Sequence, residues 1–146
     1  YFVDTKRHAV ALAHSGWRGT VGRMGRCVTE KMKEAFGTES VDLVAVIGPS
    51  ICQACYEVSE DVAEAFAAEF RRPGQEQEIL QAKGGGKYQL DLWRANEIVL
   101  TEAGLLPERI QVTDLCTCHN PRYLFSHRAS HGQRGNLGAF LGLRAN

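Results

Sequence analysis

Apolar positions along this chain fall into two kinds of pattern: short runs without helical period, and longer stretches in which apolar residues recur at steps of three and four. "HAVALA" (8–13) is of the first kind and predicts a buried strand ending at His14. From Thr20 the spacing of Val21, Met24, Val28, Met32, Ala35 and Phe36 predicts an amphipathic helix, with Gly37 as its stop. "VDLVAVI" (41–47) is a second buried strand by its β-branched content, and it runs into "GPSICQAC", a loop marked by its Gly-Pro pair. Ser59 predicts the N-cap of a helix through Phe70 with Val62, Phe66 and Phe70 on one face. The span 71–87, with Pro73, Gly74 and three consecutive glycines at 84–86, predicts a mobile surface loop. Asp91 predicts the cap of a third helix with the stripe Leu92, Ala95, Ile98 and Val99, ended by Gly104. "RIQVTD" (109–114) and "NLGAFLGL" (136–143) predict two further strands on either side of a polar segment with a turn at Asn120 and Pro121. Strands alternating with helices imply sheet faces covered by helices, and leave parallel or antiparallel pairing open.

Composition narrows the class. A length of 146 residues with 44% hydrophobic content predicts one domain with a single core. The 17 basic and 17 acidic residues cancel, which removes the global field that nucleic acid or an acidic membrane surface would select. No apolar run reaches the roughly 18 to 20 residues of a membrane span, and no secretory signal is visible. Five cysteines, an odd number, fit thiols in a reducing compartment better than a disulfide framework, so a cytoplasmic location is expected. The chain opens at Tyr1 within an apolar segment and without an initiator Met, which suggests that residues precede it in a longer protein.

Three groups of residues could carry chemistry. "HSGWRG" (14–19) sets a histidine at a strand end and Arg18 at a helix start, where backbone N–H groups already favour an anion and a guanidinium can hold phosphate or carboxylate bidentately. The alternative is Trp17 in the core, Arg18 paired at the surface and His14 a satisfied histidine. Cys52-x-x-Cys55 and Cys116-x-Cys118 could supply four thiolates to zinc, but the second spacing is short for a zinc knuckle; small buried thiols lying near one another are the simpler expectation, and a redox pair the weakest. "FSHRASH" (125–131), with Ser126, His127, Arg128 and His131, lies in a segment that also holds Arg122 and Arg134. It offers Arg128 as a second anion contact, and His119 or His127 as a base that could activate Cys116 as a nucleophile.

Taken in order, "HSGWRGT", "VIGPSICQACYEVSEDV", "YQLDLWRAN", "DLCTCHNPRYLFSHR" and "GNLGAFLGL" resemble the multicopper polyphenol oxidase, or laccase-domain, family, which is linked to purine nucleoside phosphorylase activity and includes the peptidoglycan editing factors. The resemblance runs nearly the whole chain. It implies an α+β fold of layered mixed β-sheets flanked by helices, of the kind also found in certain cysteine hydrolases. It also implies metal-dependent phosphorolysis of adenosine, inosine, guanosine and methylthioadenosine, with purine nucleosides and phosphate as partners, together with adenosine deamination. Of the His/Cys/His metal triad of that family, only the last histidine has a counterpart, His14; the other two belong to blocks absent from this chain. The chain is therefore expected to be the C-terminal part of a longer laccase-domain protein and, with two of the three ligands absent, to bind zinc weakly or not at all and to have negligible activity. By the same resemblance Arg18 and Arg128 are the candidates for phosphate, purine or ribose oxygens, with Ser126 beside them. His14, Arg18, Cys116 and Arg128 form the expected catalytic set. Copper-dependent phenol oxidation is the older alternative, disfavoured because one three-ligand site lacks the several coppers that four-electron reduction of oxygen requires. A peptidoglycan editing role with little catalysis by this chain is a third.

Overall fold

The apolar run at Leu43–Ile47 forms β3, an inner strand of a four-stranded sheet with order β2-β1-β3-β7, where β1 is Phe2–Asp4, β2 is Ala9–Ala11 and β7 is Ile110–Val112. The computed structural model describes residues 1–133 and 135–144; Arg134 lies outside them. β1 pairs antiparallel with both β2 and β3, with Phe2 opposite Ala11 on one side and Ala45 on the other. β3 and β7 run parallel, which settles the pairing that the sequence pattern left open. The strands are short, three to five residues each. The sheet therefore depends on burial more than on ladder length: Phe2, Ala9, Met32, Leu43, Ala45, Leu100 and Leu105 form one buried cluster.

The helix expected from Thr20 is two helices. α1 spans Trp17–Val21 and α2 spans Met24–Phe36, and Arg23 between them takes a left-handed conformation at φ 56°. α2 ends at Gly37 as expected; its φ of 67° is the left-handed region where a side chain is disfavoured. α5, Leu92–Glu102, approaches α2 so closely that a methyl group on Gly25 would lie 3.0 Å from Leu100 Cδ2 and 3.3 Å from Val99 Cγ1.

The chain divides into two compact units: residues 1–48, 96–113 and the stretch from Gly138 onward, and residues 49–95 with 114–137. The second unit holds a three-stranded antiparallel sheet of order β4-β6-β5, from Glu57–Ser59, Lys87–Leu90 and Leu80–Gly84. Ser59 precedes α3, Glu60–Glu69, in extended conformation, and Glu60 and Asp61 in the first turn suit its dipole. Val62, Phe66 and Phe70 are buried, the two phenylalanine rings stacked at 5.6 Å.

Two expectations are corrected. The span 71–87 is not a loop throughout: it contains α4, Gln75–Ile79, with Ile79 fully buried, and then the β5–β6 hairpin. The glycines at 84–86 all have positive φ and make only the hairpin turn. Residues 136–143 form no strand; they have neither helix nor strand structure, and Phe140 is 91% exposed. Strand propensity without a hydrogen-bonded neighbour does not make a strand.

Asp4, at the end of β1, folds the link to β2. Its Oδ1 accepts the N–H groups of Lys6 at 2.9 Å and Arg7 at 3.1 Å. Burial works to raise its pKa, but the Thr38 hydroxyl, these N–H groups and the Arg7 guanidinium prevail, and the carboxyl stays below the ordinary carboxylate value. A depressed carboxylate contributes stability that is present above the unfolded-state pKa and lost as pH falls through the folded-state value. Asp4→Asn should therefore cost about 1–3 kcal/mol at pH 7, and its deficit against wild type should shrink in urea unfolding measured from pH 5 down to pH 2.

Candidate functional site

In the first unit the chain leaves β2 in extended conformation and turns into α1 at Gly16, whose ψ of −174° keeps it outside the helix. His14 and Arg18 are both exposed. The imidazole folds over Gly16: a Cβ there would lie 3.1 Å from His14 Nε2, so the glycine admits the ring. The Arg18 guanidinium stacks on the Trp17 indole, its carbon 4.2 Å from the ring centroid, and has no acidic partner among the described residues. Because α1 has only five residues, it adds little dipole, and any affinity for an anion rests on that guanidinium.

A buried hydroxyl and amide network holds this corner. Ser15 Oγ donates to Asn96 Oδ1 at 2.8 Å, Asn96 Nδ2 donates to Thr20 Oγ1 at 3.0 Å, and Thr20 Oγ1 donates to Gly16 O at 3.0 Å. Thr20 is fully buried and Asn96 nearly so, so these groups have little water to fall back on. Asn96 stands in the middle of an amphipathic helix, where no spacing rule in the sequence singles it out.

In the second unit, the loop after Gly48 carries Cys52 and Cys55, and the turn after Asp114 carries Cys116 and His119. Their backbones are tied directly: Ser50 N–H donates to Leu115 O at 3.2 Å and Thr117 N–H to Ser50 O at 3.0 Å, an isolated parallel bridge. The Trp93 indole N–H donates to Ser50 Oγ, and Asn120 closes the turn by donating its amide nitrogen to Cys116 O at 2.8 Å. One ligand atom each from Cys52, Cys55, Cys116 and His119 lie within 4.8 Å of one another, a Cys3His cluster compatible with a metal ion such as zinc. His119 Nε2 is 3.0 Å from Cys55 Sγ, and Cys52 N–H donates to Cys116 Sγ at 3.4 Å. Burial, then the neighbouring thiols of Cys118, Cys52 and Cys116, push the Cys55 thiol up to about 12. Burial likewise raises Cys52, with Cys116 adding to it. Burial acts to raise Cys116 too, but backbone N–H groups of Cys52, His119 and Cys118 outweigh it and the thiol sits below its ordinary value.

The thiols do lie near one another, with Cys116 alone among them buried, and the fourth donor type in the cluster is the His119 imidazole rather than the Cys118 thiol. The signal was in the sequence: Cys116-x-x-His119 has the same spacing as Cys52-x-x-Cys55. Cys116 itself is 4% exposed. Arg128 donates to Glu57 O at 2.9 Å and lies 5.8 Å from the centroid of Tyr56, while the buried hydroxyl of Ser126 accepts the Ala129 N–H at 3.2 Å and shapes that turn. His14 belongs to no group of three or more metal-ligating side chains among the described residues.

A family model described as multi-copper polyphenol oxidoreductase laccase matches residues 1–144. The chain belongs to this family. Among curated members, a purine nucleoside phosphorylase YlmD of Bacillus subtilis is 37% identical over 144 residues, 99% of this chain and 51% of its own length. A purine nucleoside phosphorylase of Bacteroides thetaiotaomicron is 37% identical over 126 residues, 86% of this chain and 46% of its own length. The solved YlmD of Geobacillus stearothermophilus superposes with a TM-score of 0.82 at 32% identity over 92% of this laccase-family chain and 49% of that one, and a hypothetical protein YfiH of Bacillus licheniformis with 0.84 at 32% over 91% and 49%. The chain therefore spans about half the length of the relatives it matches, and its mixed α+β fold is theirs.

Replacing Asn96 by Ala takes one hydrogen-bond partner each from the buried Thr20 hydroxyl and the half-buried Ser15 hydroxyl. The variant should lose about 1–3 kcal/mol in urea unfolding, whereas a loss under 0.5 kcal/mol, about that of a surface substitution, would show that the network does not hold the corner.

Proposed function

We propose that this chain carries part of a purine nucleoside phosphorylase, with adenosine, inosine, guanosine and methylthioadenosine as substrates. The observation that carries the proposal is the exposed Arg18 guanidinium, stacked on Trp17 without an acidic partner among the described residues, in a chain whose relatives bear that name. In phosphorolysis a phosphate oxygen bonds to C1′ of the ribose as the bond from C1′ to the purine nitrogen breaks; the purine leaves with a proton, and ribose 1-phosphate remains. Arg18 binds the phosphate dianion through paired N–H donors and offsets its charge as it approaches C1′. Arg128, in the second unit, keeps one nitrogen on Glu57 O, on a turn shaped by Ser126, and its remaining N–H donors suit an oxygen acceptor.

A catalytic metal at His14 needs ligands that the described residues do not provide, so the steps above use only side chains of this chain. Zinc rather than copper is the metal we assign to the reaction, since phosphorolysis transfers no electrons and zinc is redox-inert. Adenosine deamination is proposed as a second activity; it would appear as inosine formed without phosphate. A cytoplasmic setting suits the five free cysteines.

Inosine and phosphate supplied to the full-length protein should yield hypoxanthine and ribose 1-phosphate. Arg18→Ala should lower kcat/KM for phosphate by about tenfold to a hundredfold, with Arg18→Lys between the two. An unchanged phosphate KM would remove Arg18 from the mechanism. Hypoxanthine release independent of phosphate, or oxygen uptake on a phenol in proportion to bound copper, would overturn the phosphorylase assignment.

A further inference from the structure

We propose that Cys52, Cys55, Cys116 and His119 form a structural zinc site, separate from any metal used in catalysis. Four donors of the types zinc prefers come from two C-x-x-C-like spacings and lie within 4.8 Å of one another. A tetrahedral zinc with thiolates at about 2.3 Å sets its sulfurs about 3.8 Å apart, so small side-chain shifts would complete the shell. The backbone already holds the two pieces together through the Ser50–Cys116 bridge, which limits the entropy lost on binding. The Cys52 N–H on Cys116 Sγ and the Asn120 amide on Cys116 O are the kind of outer contacts that orient a thiolate ligand.

The donor set also indicates what the site does. Three thiolates and an imidazole fill a tetrahedron with no open position, the pattern of a structural centre rather than a catalytic one. Soft sulfur donors disfavour magnesium and calcium. His14 is not among the donors, so zinc binding at this cluster does not depend on His14. The ion clips residues far apart in sequence, a closure that gains most when the loop between them is long. Tyr56 and Glu57, which follow Cys55 directly, are the residues against which Arg128 rests, so the zinc also steadies that guanidinium.

The test is zinc titration of the reduced, metal-free chain against a chromogenic chelator. One equivalent should bind, and Cys52→Ser, Cys55→Ser, Cys116→Ser and His119→Ala should each weaken binding at least about a hundredfold. His14→Ala and Cys27→Ser should bind as wild type does. Far-ultraviolet circular dichroism establishes that each variant folds; for any that does not, cobalt substitution of the wild type decides, with thiolate-to-cobalt charge transfer and tetrahedral visible bands expected. Loss of zinc in His14→Ala, an octahedral cobalt spectrum, or a Cys52–Cys55 disulfide in the chain purified without added oxidant would overturn the proposal. None of these outcomes depends on nucleoside turnover, so the zinc site and the phosphorylase activity stand or fall separately.

Discussion

Residues on either side of a long stretch of chain are brought together because the backbone at Ser50 is paired with that at Cys116. Two hydrogen bonds make the bridge, and Trp93 holds the Ser50 hydroxyl. From this pairing follow the nearness of Cys52 and Cys55 to Cys116 and His119, the N–H contact on the Cys116 sulfur, and the opposed displacements of the thiol pKa values. A bridge of two bonds is weak by itself. A metal on the four side chains would convert it from a local pairing into a fixed closure.

The other centre has a different basis. At the His14–Gly19 corner no backbone ladder holds the functional groups; the polar triad of Ser15, Thr20 and Asn96 does, with Gly16 leaving room for the imidazole. His14 and Arg18 stay exposed while the residues between and behind them are fixed. The corner thus presents an accessible guanidinium, stacked on Trp17, on a held backbone.

Much of this was legible in the sequence where the signal is local. The Asp91 cap, the helix start after Ser59, the apolar run of β3, and the Gly37 stop are each decided within a few residues, and the structure has them where the pattern put them, although the Ser59 hydroxyl donates to Asp61 Oδ1 instead of capping a backbone N–H. Features that depend on partners were not legible. The β5–β6 hairpin was hidden by its glycine turn, the 136–143 run has strand composition without a neighbouring strand, and Arg23 breaks a helix that its apolar spacing would continue. In the cluster, grouping Cys116 with Cys118 obscured the equal spacing of Cys116 and His119. The metal-ligand expectation for His14 came from family resemblance alone, since the six residues from His14 to Gly19 are about equally compatible with a packed strand end.

Zinc-edge X-ray absorption on the zinc-loaded chain tests the central claim most directly. Three sulfurs at about 2.3 Å and one nitrogen at about 2.0–2.1 Å are predicted for the first shell. A shell of nitrogen and oxygen alone would place the ion elsewhere and contradict the assignment.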